Sequence, residues 1–314
     1  MTTPFPSSAD RSALQTILGA GGTIGTPLAT ELRQYTDQVR LVARQPSAVH
    51  PEDELVRADL LDPNATERAV AGSAVVYLTV GLPYDNRTWE KDWPRLLDNV
   101  LKACQRHGTK LVFFDNVYAF APDSLDGMTE TTPIAPATRK GRVRAQLIRR
   151  LETAHREGEV TNLIARAADF YGKDIGNGLL NELLIKRIHA GKRAQWLCAA
   201  DQPHTFTYVN DAARATAQLG NDPAAYGRAW HLPTATEAPT AKQWAGYFGG
   251  RQPPQLLAPW LIRLLGIFVP TMRALHEMLY QYDRPYRFDS SAFTERYGWK
   301  ATPIAVAVRR IKGA

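Results

Sequence analysis

Short apolar runs alternate with amphipathic stretches through the first half of the chain. This alternation is typical of βαβ units that surround a parallel sheet. Strands are predicted at residues 16–19, 39–43, 54–58, 74–79, 110–114 and 160–166. Helices are predicted between them, near residues 26–34, 64–71, 89–106 and 142–156. The pattern therefore predicts an α/β fold with a doubly wound parallel sheet.

The alternation loosens beyond Arg166, where short strand-like segments at residues 195–198 and 205–209 mix with helices and Pro-rich turns. We interpret residues 173–314 mainly as a smaller C-terminal substrate lobe, with some segments that return to the main sheet. In this division residues 13–172 form the sheet domain, and the polar residues 1–12 form a flexible N-terminus.

The most apolar segment, residues 256–269, is interrupted by Pro259 and Arg263. It is shorter than the roughly 20 residues that a membrane-spanning helix requires, so no membrane span is predicted. We expect this segment to pack in a core or to line an apolar pocket. The side chains at helical spacing to which this applies are Leu261, Leu264, Leu265, Phe268 and Met272. The tryptophans of the second half are also expected in a core, namely Trp196, Trp230, Trp244 and Trp260.

A glycine cluster follows the first predicted strand and opens the first predicted helix. Gly19 permits a tight turn, Gly22 lets the backbone approach a pyrophosphate, and Gly25 lets helix and strand pack closely. The anion would sit at the helix N-terminus, where unpaired N–H groups and the helix dipole favour negative charge. The cluster predicts a bound dinucleotide and a Rossmann-type domain. The residues assigned to it are Gly19, Gly21, Gly22, Thr23, Ile24 and Gly25.

The second predicted strand ends beside Arg44, about 20 residues after the glycine cluster. An acidic side chain at this place would accept a hydrogen bond from the ribose 2′-hydroxyl of NAD, whereas a guanidinium suits the 2′-phosphate of NADP. NADP is therefore the favoured cofactor and NAD the alternative. A solvated arginine without a ligand is the other interpretation of Arg44.

Several further stretches resemble the extended short-chain dehydrogenase/reductases, the NAD-dependent epimerase/dehydratase family. Residues 58–62, Ala-Asp-Leu-Leu-Asp, are similar to the acidic motif after the family's third strand, and residues 79–81, Thr-Val-Gly, follow the fourth. Residues 165–172 resemble the Arg-Pro-x-x-x-Tyr-Gly segment beside the nicotinamide, with Ala167 in place of proline. Residues 205–211 match a Phe-x-x-Val-x-Asp signature. The likeness covers nearly the whole chain.

This resemblance implies roles for individual residues. Asp59 would hold the adenine amino group of the cofactor. The other cofactor-binding residues that it implies are Leu60, Thr79, Val80, Gly81, Lys140 and Ala168. The residues expected to contact substrate are Tyr84, Asn116, Tyr118, Asp169 and Tyr171.

The candidate active site departs from the family pattern. Family enzymes use a Ser or Thr after the fifth strand and a Tyr-x-x-x-Lys pair on the next helix, where the lysine holds the ribose and lowers the pKa of the phenol. Lys140 fits the lysine, but the residue four positions earlier is Pro136, which has no proton to give. Asn116 stands where the serine would fall, and Tyr118 is the first substitute for the missing acid. The predicted catalytic set is Asn116, Tyr118 and Lys140, with Tyr171 and Tyr84 as further candidates for the acid.

Composition argues against several other classes. The net charge of +7, from 38 basic and 31 acidic residues, is modest, and the basic run at residues 139–150 has no zinc-finger or RNA-motif spacing, so no nucleic-acid partner is predicted. Cys104 and Cys198 are too few and too far apart for a disulfide framework, which favours a reducing, cytoplasmic compartment. The histidines show no zinc-like spacing, so no metal site is predicted.

Three functions remain open. The favoured one is an NAD(P)-dependent oxidoreductase that transfers hydride to or from a small, rather apolar carbonyl or enone compound. A nucleotide-sugar epimerase or dehydratase ranks lower, because such an enzyme normally relies on the missing tyrosine. The third is a non-catalytic NADP-binding regulatory protein, in which Tyr118 would be only a packed aromatic residue. The resemblance is compatible with a monomer or a homodimer.

Overall fold

A computed structural model of the protein describes residues 11–173, 175–176 and 178–313. Its strands are β1 (Gln15–Leu18), β2 (Val39–Ala43), β3 (Glu54–Arg57), β4 (Val75–Leu78), β5 (Lys110–Asp115), β6 (Asp126–Met128), β7 (Asn162–Arg166), β8 (Asp169–Tyr171), β9 (Gln195–Leu197), β10 (Phe206–Tyr208), β11 (Ala229–His231), β12 (Gln255–Leu257) and β13 (Arg287–Phe288). Its α-helices are α1 (Gly25–Leu32), α2 (Pro63–Val70), α3 (Asn86–His107), α4 (Arg139–Arg156), α5 (Lys186–His189), α6 (Val209–Gly220), α7 (Ala241–Tyr247), α8 (Pro259–Leu265), α9 (Pro270–His276), α10 (Ser291–Tyr297) and α11 (Ile304–Lys312). Residues 1–10 of the predicted flexible N-terminus lie outside the described residues.

The central sheet contains seven parallel strands in the order β3-β2-β1-β4-β5-β7-β11. The chain order reverses at β1, which lies between β2 and β4. In open sheets of this kind, ligands bind beyond the carboxyl ends of the strands at such a reversal. The predicted α/β fold with a doubly wound, Rossmann-type parallel sheet is therefore confirmed.

The strands at the centre of the sheet are buried along their whole length. Every residue of β1, β4 and β7 is buried, as expected for strands that helices cover on both faces. Helices α3 and α4 share one core with the sheet, and helices α1 and α6 share the other. The carboxyl edge of the sheet is therefore a rigid platform for the loops that follow the strands.

Two helices begin at this carboxyl edge with side-chain caps. Asp85 caps α3 by accepting a hydrogen bond from the backbone N–H of Thr88 at 2.9 Å. Thr138 caps α4 by accepting one from the backbone N–H of Gly141 at 3.1 Å. Each such cap contributes about 1 kcal/mol to helix stability. Because each helix follows a strand of the parallel sheet, the caps fix the starts of α3 and α4 beside the crevice.

Three short parallel strand pairs lie outside the main sheet: β9 with β12, and the pairs β8 with β10 and β6 with β13, which join residues before position 173 to the C-terminal lobe. Trp196 and Trp244 are buried in the core of this lobe, as predicted, and Trp230 is buried against the main sheet. The strand β11 leaves this half of the chain and pairs with β7 at the edge of the main sheet. The sequence pattern did not predict this seventh strand.

Residues 256–269 were expected to pack in a core or to line an apolar pocket, and the core packing is wrong for most of the segment. Within α8 only Ile262 is buried. The residues that were expected inside and are instead exposed are Trp260, Leu261, Leu264, Leu265 and Phe268. The helices α8 and α9 pack against each other, so the remaining apolar face of the pair has no partner within the described chain. Among the described residues, no helix is both long enough and apolar enough to cross a bilayer.

Candidate cofactor and active site

The glycine loop between β1 and α1 has a backbone that excludes side chains. Gly19 has a φ of 104°, and a Cβ atom built there would lie 2.7 Å from the backbone nitrogen of Val80. A Cβ atom on Gly25 would lie 2.7 Å from the carbonyl oxygen of Gly19. Since these neighbours are backbone atoms, they cannot move aside cheaply, and both positions require glycine. The loop therefore lies tight against the chain that leaves β4.

The rest of the loop forms an exposed turn that leads into α1. Gly21 has a φ of 81° and is exposed, as is Gly22. Two loop amides donate hydrogen bonds to the carbonyl oxygen of Val42, at 3.0 and 3.1 Å, and hold the turn on β2. Thr23 and Ile24 complete the turn, and the first turn of α1 has no acidic residue. No carboxylate of this turn therefore offsets the positive end of the α1 dipole. This helix end, next to a loop of closely packed glycine backbone, suits the diphosphate of a dinucleotide.

The ends of β2 and β3 bring two further predicted cofactor residues to the same edge. Ala43 and Arg57 are partners at the carboxyl ends of these paired strands. Arg44, the next residue after β2, is exposed. Asp59 is exposed as well, and its Oδ1 accepts a hydrogen bond from a backbone N–H two residues on, at 3.0 Å. Leu60 is buried beneath them. Arg44 and Asp59 are thus accessible to a ligand that extends from the glycine loop.

Residues 79–81 leave β4 directly beside the glycine loop. The hydroxyl of Thr79 donates to the carbonyl oxygen of Leu18, the last residue of β1, at 3.2 Å. Val80 closes the space next to Gly19, and Gly81 is exposed. The structure therefore places this predicted cofactor segment against the start of the loop.

Lys140 lies in the first turn of α4 and is fully buried. Its Nζ donates a hydrogen bond to Oδ1 of Asn86 at 2.7 Å and lies 4.2 Å from the ring centroid of Tyr84. Burial lowers the pKa of Lys140 to about 8, and the nearby Glu277 carboxylate opposes part of this shift. The ammonium therefore titrates close to neutral pH.

Tyr84 lies beside Lys140, and Tyr118 lies beside Tyr84. The two tyrosine hydroxyl oxygens are 3.5 Å apart, with Tyr84 as the donor, which is longer than an ordinary O–H···O hydrogen bond. The ring of Tyr118 stacks on Trp89 with centroids 6.1 Å apart. Burial, and then the Asp169 carboxylate, raise the pKa of Tyr118 to about 12. At neutral pH its phenol remains protonated and can only donate or accept a hydrogen bond as the neutral form.

Asn116 acts on Tyr118 through the backbone. Its Oδ1 accepts a hydrogen bond from the N–H of Tyr118 at 3.0 Å, the geometry of a local turn that an asparagine side chain stabilises. Asn116 is half-buried, between the end of β5 and Tyr118. Asn116 and Tyr118 thus share one turn after β5, Tyr84 lies next to Tyr118, and Lys140 lies next to Tyr84.

Pro136 does not share a helix face with Lys140. The helix α4 begins at Arg139, after the Thr138 cap, so Pro136 lies in the preceding loop. The position one turn further along α4 from Lys140 is Arg144, which is also buried. The four-residue spacing on the buried face of this helix is therefore occupied by two cations, a lysine followed by an arginine.

A buried ionic cluster connects the end of β5 with α4. Arg144 Nε lies 3.7 Å from Oδ1 of Asp115, and Arg166 Nε donates to Oδ2 of the same carboxylate at 3.1 Å. The Arg144 guanidinium also lies 4.4 Å from the ring centroid of Trp93. One carboxylate offsets only one of the two guanidinium charges, and the shared contacts fix the end of β5 relative to α4 and β7. Tyr118 lies three positions beyond that end.

Asp169, the first residue of β8, contacts two side chains of the C-terminal lobe. Its Oδ2 accepts a hydrogen bond from the Tyr282 hydroxyl at 2.7 Å and lies 3.1 Å from Nε2 of His204. His204 is buried and stacks on the Tyr286 ring, with centroids 4.1 Å apart. Sequence reasoning missed His204 and Tyr282, because neither carries a local motif and they are 35 and 113 positions from Asp169. The neighbouring Ala168 donates its N–H to the Thr207 hydroxyl at 3.1 Å.

Tyr171 lies in a different environment from the other predicted site residues. It is 1% exposed and packs on Trp244 in the core of the lobe, with ring centroids 4.9 Å apart. Its hydroxyl has no hydrogen-bond partner among the described residues. The structure therefore does not bring Tyr171 together with Lys140 and Tyr118.

The glycine loop lies at the reversal of strand order, the place where open α/β sheets of the Rossmann type bind their ligands. Residues 16–230 match the NAD dependent epimerase/dehydratase family. This chain belongs to that family, and the resemblance inferred from its sequence is confirmed.

Solved structures share this fold over nearly the whole chain. UDP-N-acetylglucosamine 4-epimerase from Bacillus cereus has a TM-score of 0.74 at 14% identity, covering 96% of this chain and 95% of its own. UDP-glucose 4-epimerase from Thermus thermophilus, in complex with NAD, has 0.73 at 16%, covering 96% and 99%. The Bordetella bronchiseptica enzyme WbmH, in complex with NAD+, has 0.71 at 17%, covering 96% and 100%. At these identities the likeness shows the fold. A search of curated proteins found no match.

Proposed function

We propose that this protein is an NAD(P)-dependent oxidoreductase that transfers hydride to or from a small carbonyl or enone substrate. The observation that carries the proposal is Lys140, a buried lysine with a pKa of about 8 beside Tyr84, whose hydroxyl oxygen lies 3.5 Å from that of Tyr118. A group that titrates near neutral pH is suited to proton transfer in either direction. Family membership and the glycine cradle support a nicotinamide dinucleotide as the cofactor.

Each residue of the site has a distinct role in this proposal. When bound, the nicotinamide supplies or accepts the hydride at its C4. The protonated phenol of Tyr118 donates a hydrogen bond to the substrate oxygen. Lys140 stabilises the negative charge that develops on that oxygen and gives it a proton, and neutral Lys140 takes the proton back in the oxidation direction. Asn116 positions Tyr118, and Asp169 supplies a hydrogen-bond acceptor from the lobe.

NADPH that carries deuterium at C4 tests this proposal, together with a library of ketones, aldehydes and enones. We expect deuterium in the reduced product of at least one compound. Tyr118→Phe should lower kcat about 100-fold, because one hydrogen bond to the developing oxyanion is lost, and should leave NADPH affinity unchanged. Tyr247→Phe, a change at an exposed tyrosine of α7, is the matched control.

The result that contradicts the proposal is an absence of reduced product across the library, with Tyr118→Phe indistinguishable from the parent in every assay. NADPH binding measured by calorimetry without any turnover would instead favour the non-catalytic regulatory protein.

For the cofactor, we propose NADP, on the basis of the exposed guanidinium of Arg44 at the end of β2. Arg44→Asp should shift the ratio of NADP and NAD affinities towards NAD by roughly 10- to 100-fold, the value of a hydrogen bond to a charged group. Titration calorimetry with both oxidised nucleotides measures this ratio, and Arg95→Asp, on the exposed side of α3, is the control. If Arg44→Asp leaves this affinity ratio unchanged, Arg44 does not contact the cofactor.

A nucleotide-sugar epimerase is the second candidate, favoured by the family match and by the named epimerases of the same fold. Such an enzyme would use the same hydride step and then reverse it, so the nicotinamide would not be consumed. Incubation with UDP-glucose and with UDP-N-acetylglucosamine, followed by chromatography of the sugars, distinguishes the two. A new epimer without added nicotinamide would support this candidate over the first.

A further inference from the structure

The hairpin formed by α8 and α9 presents large apolar side chains to solvent. Phe268 is 82% exposed, Trp260 is 67% exposed and Ile267 is 60% exposed. The other exposed apolar residues of the segment are Leu256, Leu261, Leu264, Leu265 and Val269. We call these residues together the apolar hairpin surface. Exposed apolar sets of this size on a soluble protein mark interaction sites.

The outward orientation of this surface is fixed by the hairpin itself. Ile262 and Ala274 are the buried side chains of the two helices. Arg273 donates hydrogen bonds from Nε and Nη2 to the carbonyl oxygens of Gly266 and Ile267, at 2.9 and 3.0 Å. A Cβ atom on Gly266 would lie 3.0 Å from the backbone of Arg273, so the helices approach closely at this turn. These contacts fix the two helices relative to each other and leave the apolar side chains exposed to solvent.

Positive charge accompanies the apolar hairpin surface. Residues 238–276 include no Asp or Glu, and their basic residues are Lys242, Arg251, Arg263 and Arg273. A cavity of about 220 Å³ between the two helices is lined by Arg263, Gly266, Ile267, Arg273 and His276. Two guanidinium groups and an imidazole around one cavity suit an oxyanion such as a phosphate group.

Further basic residues lie on the adjoining strand pair. The strand β9 pairs with β12, which ends directly before α8. Lys192 and Arg193 precede β9 and are exposed, and Arg193 Nε donates to the carbonyl oxygen of Pro253 at 2.9 Å. The nearest acidic residue after the hairpin is Glu277, whose carboxylate already accepts a hydrogen bond from Asn86. Among the described residues, no acidic side chain forms an ion pair with Lys192, Arg193, Arg263 or Arg273.

We propose that the α8–α9 hairpin docks this protein on a negatively charged phospholipid surface. The aromatic and aliphatic side chains of the apolar hairpin surface enter the boundary between headgroups and acyl chains, with Trp260 and Phe268 deepest, as their exposure indicates. Arg263 and Arg273 lie at the level of the lipid phosphates. The protein is then peripheral and reversibly bound, since apolar insertion and electrostatic attraction each contribute only part of the binding free energy.

Charge decides between this partner and a second copy of the chain. In a symmetric dimer the same surface patch meets itself, so Arg263 and Arg273 would face their own equivalents without an acidic residue from the hairpin to pair them. An anionic membrane supplies the negative charge that the chain lacks here.

Sedimentation of the full chain with vesicles tests the proposal. We expect the protein to pellet with vesicles of phosphatidylcholine and phosphatidylglycerol, and about tenfold less with phosphatidylcholine alone. Binding should weaken as salt is raised, because the electrostatic part is screened. Competition with inorganic phosphate distinguishes binding to a bilayer from binding to a free anion. Inorganic phosphate at the concentration of the lipid phosphate should not displace the protein from vesicles.

The double variant Ile267→Ser/Phe268→Ser should bind vesicles about tenfold more weakly or worse, because it removes apolar area from the inserted face. Leu55→Ser is the matched control, since Leu55 is 45% exposed and lies on β3, outside the hairpin. Arg263→Glu should reduce binding roughly tenfold to anionic vesicles alone. All of these variants should keep the nucleotide affinity of the parent, which shows that they are folded.

Trp260 offers a direct readout of insertion. Five of the other tryptophans, at positions 89, 93, 196, 230 and 244, are buried, so lipids brominated in the acyl chain should quench mainly Trp260. Trp260→Phe should abolish this quenching while most of the vesicle binding remains.

Two results would overturn the proposal. One is equal sedimentation with neutral and anionic vesicles, or none with either, in the parent protein. The other is a dimer, detected by analytical ultracentrifugation, that the Ile267→Ser/Phe268→Ser variant dissociates, which would assign the apolar hairpin surface to a second copy of the chain. Neither result depends on turnover, so the test is independent of the proposed oxidoreductase activity.

Discussion

Lys140→Met should lower kcat for carbonyl reduction by roughly 10²- to 10⁴-fold, the usual contribution of a positioned proton donor. In the parent, reduction should slow as the pH rises through about 8, because the ammonium of Lys140 is lost there, and alcohol oxidation should accelerate over the same range. In Lys140→Met, neither the rate of reduction nor the rate of oxidation should change with pH in this range. Initial rates with NADPH or NADP+ across pH 6 to 10 measure these effects.

The same variant should not lose stability at neutral pH. Burial lowers the pKa of Lys140 from 10.5 to about 8, so between these values the unfolded chain binds more protons than the folded one. The free energy of unfolding therefore rises with pH through this window, and the charged lysine destabilises the fold below it. Methionine removes that cost while keeping the apolar stem. Denaturant unfolding at pH 7 should show equal or greater stability, whereas a marked loss would identify Lys140 as a purely structural residue.

Gly25→Ala should weaken NADPH binding by roughly 10- to 100-fold, because the new Cβ would lie 2.7 Å from the carbonyl oxygen of Gly19 and must displace the glycine loop. The overpacking should also lower the free energy of unfolding by about 1–3 kcal/mol. Calorimetric titration with NADPH and denaturant unfolding measure the two effects.

Gly246→Ala is the matched control for this change. Gly246 lies within the helix α7, and a Cβ atom built there meets nothing within 4 Å. This variant should be as stable as the parent or slightly more so, since alanine restricts the unfolded chain. If Gly25→Ala binds NADPH with parental affinity, the cradle is not the nucleotide site.

The sheet and the cradle could be predicted from the sequence because their signals are local. The strands β1, β2, β4, β5 and β7 are apolar runs that helices bury on both faces, and each coincides with a predicted strand to within two residues at either end. The short strand β11 escaped prediction, since Ala-Trp-His carries no periodicity and is a strand only because β7 offers it an edge. The pairing with β7, and not the sequence of the segment itself, makes β11 a strand.

Two features lay beyond sequence reasoning, because both depend on contacts between distant parts of the chain. Asp169 of β8 meets His204 and Tyr282 only when segments 35 and 113 positions away pack against it. The exposure of Phe268 depends on which faces of the helices pack against other elements, and helical spacing alone does not determine this. The start of α4 was predicted at residue 142, whereas the Thr138 cap moves it to Arg139 and leaves Pro136 outside the helix.

Glu277, at the end of α9, joins three parts of the molecule. One carboxylate oxygen accepts a hydrogen bond from Nδ2 of Asn86 at 2.7 Å, and the other accepts one from the N–H of Arg139 at 3.3 Å. Asn86 in turn accepts from Lys140. If a ligand binds at Lys140 as proposed, a displacement of α9 that breaks these hydrogen bonds would change its binding free energy. By thermodynamic reciprocity, the ligand would then change the equilibrium position of the hairpin by the same amount of free energy.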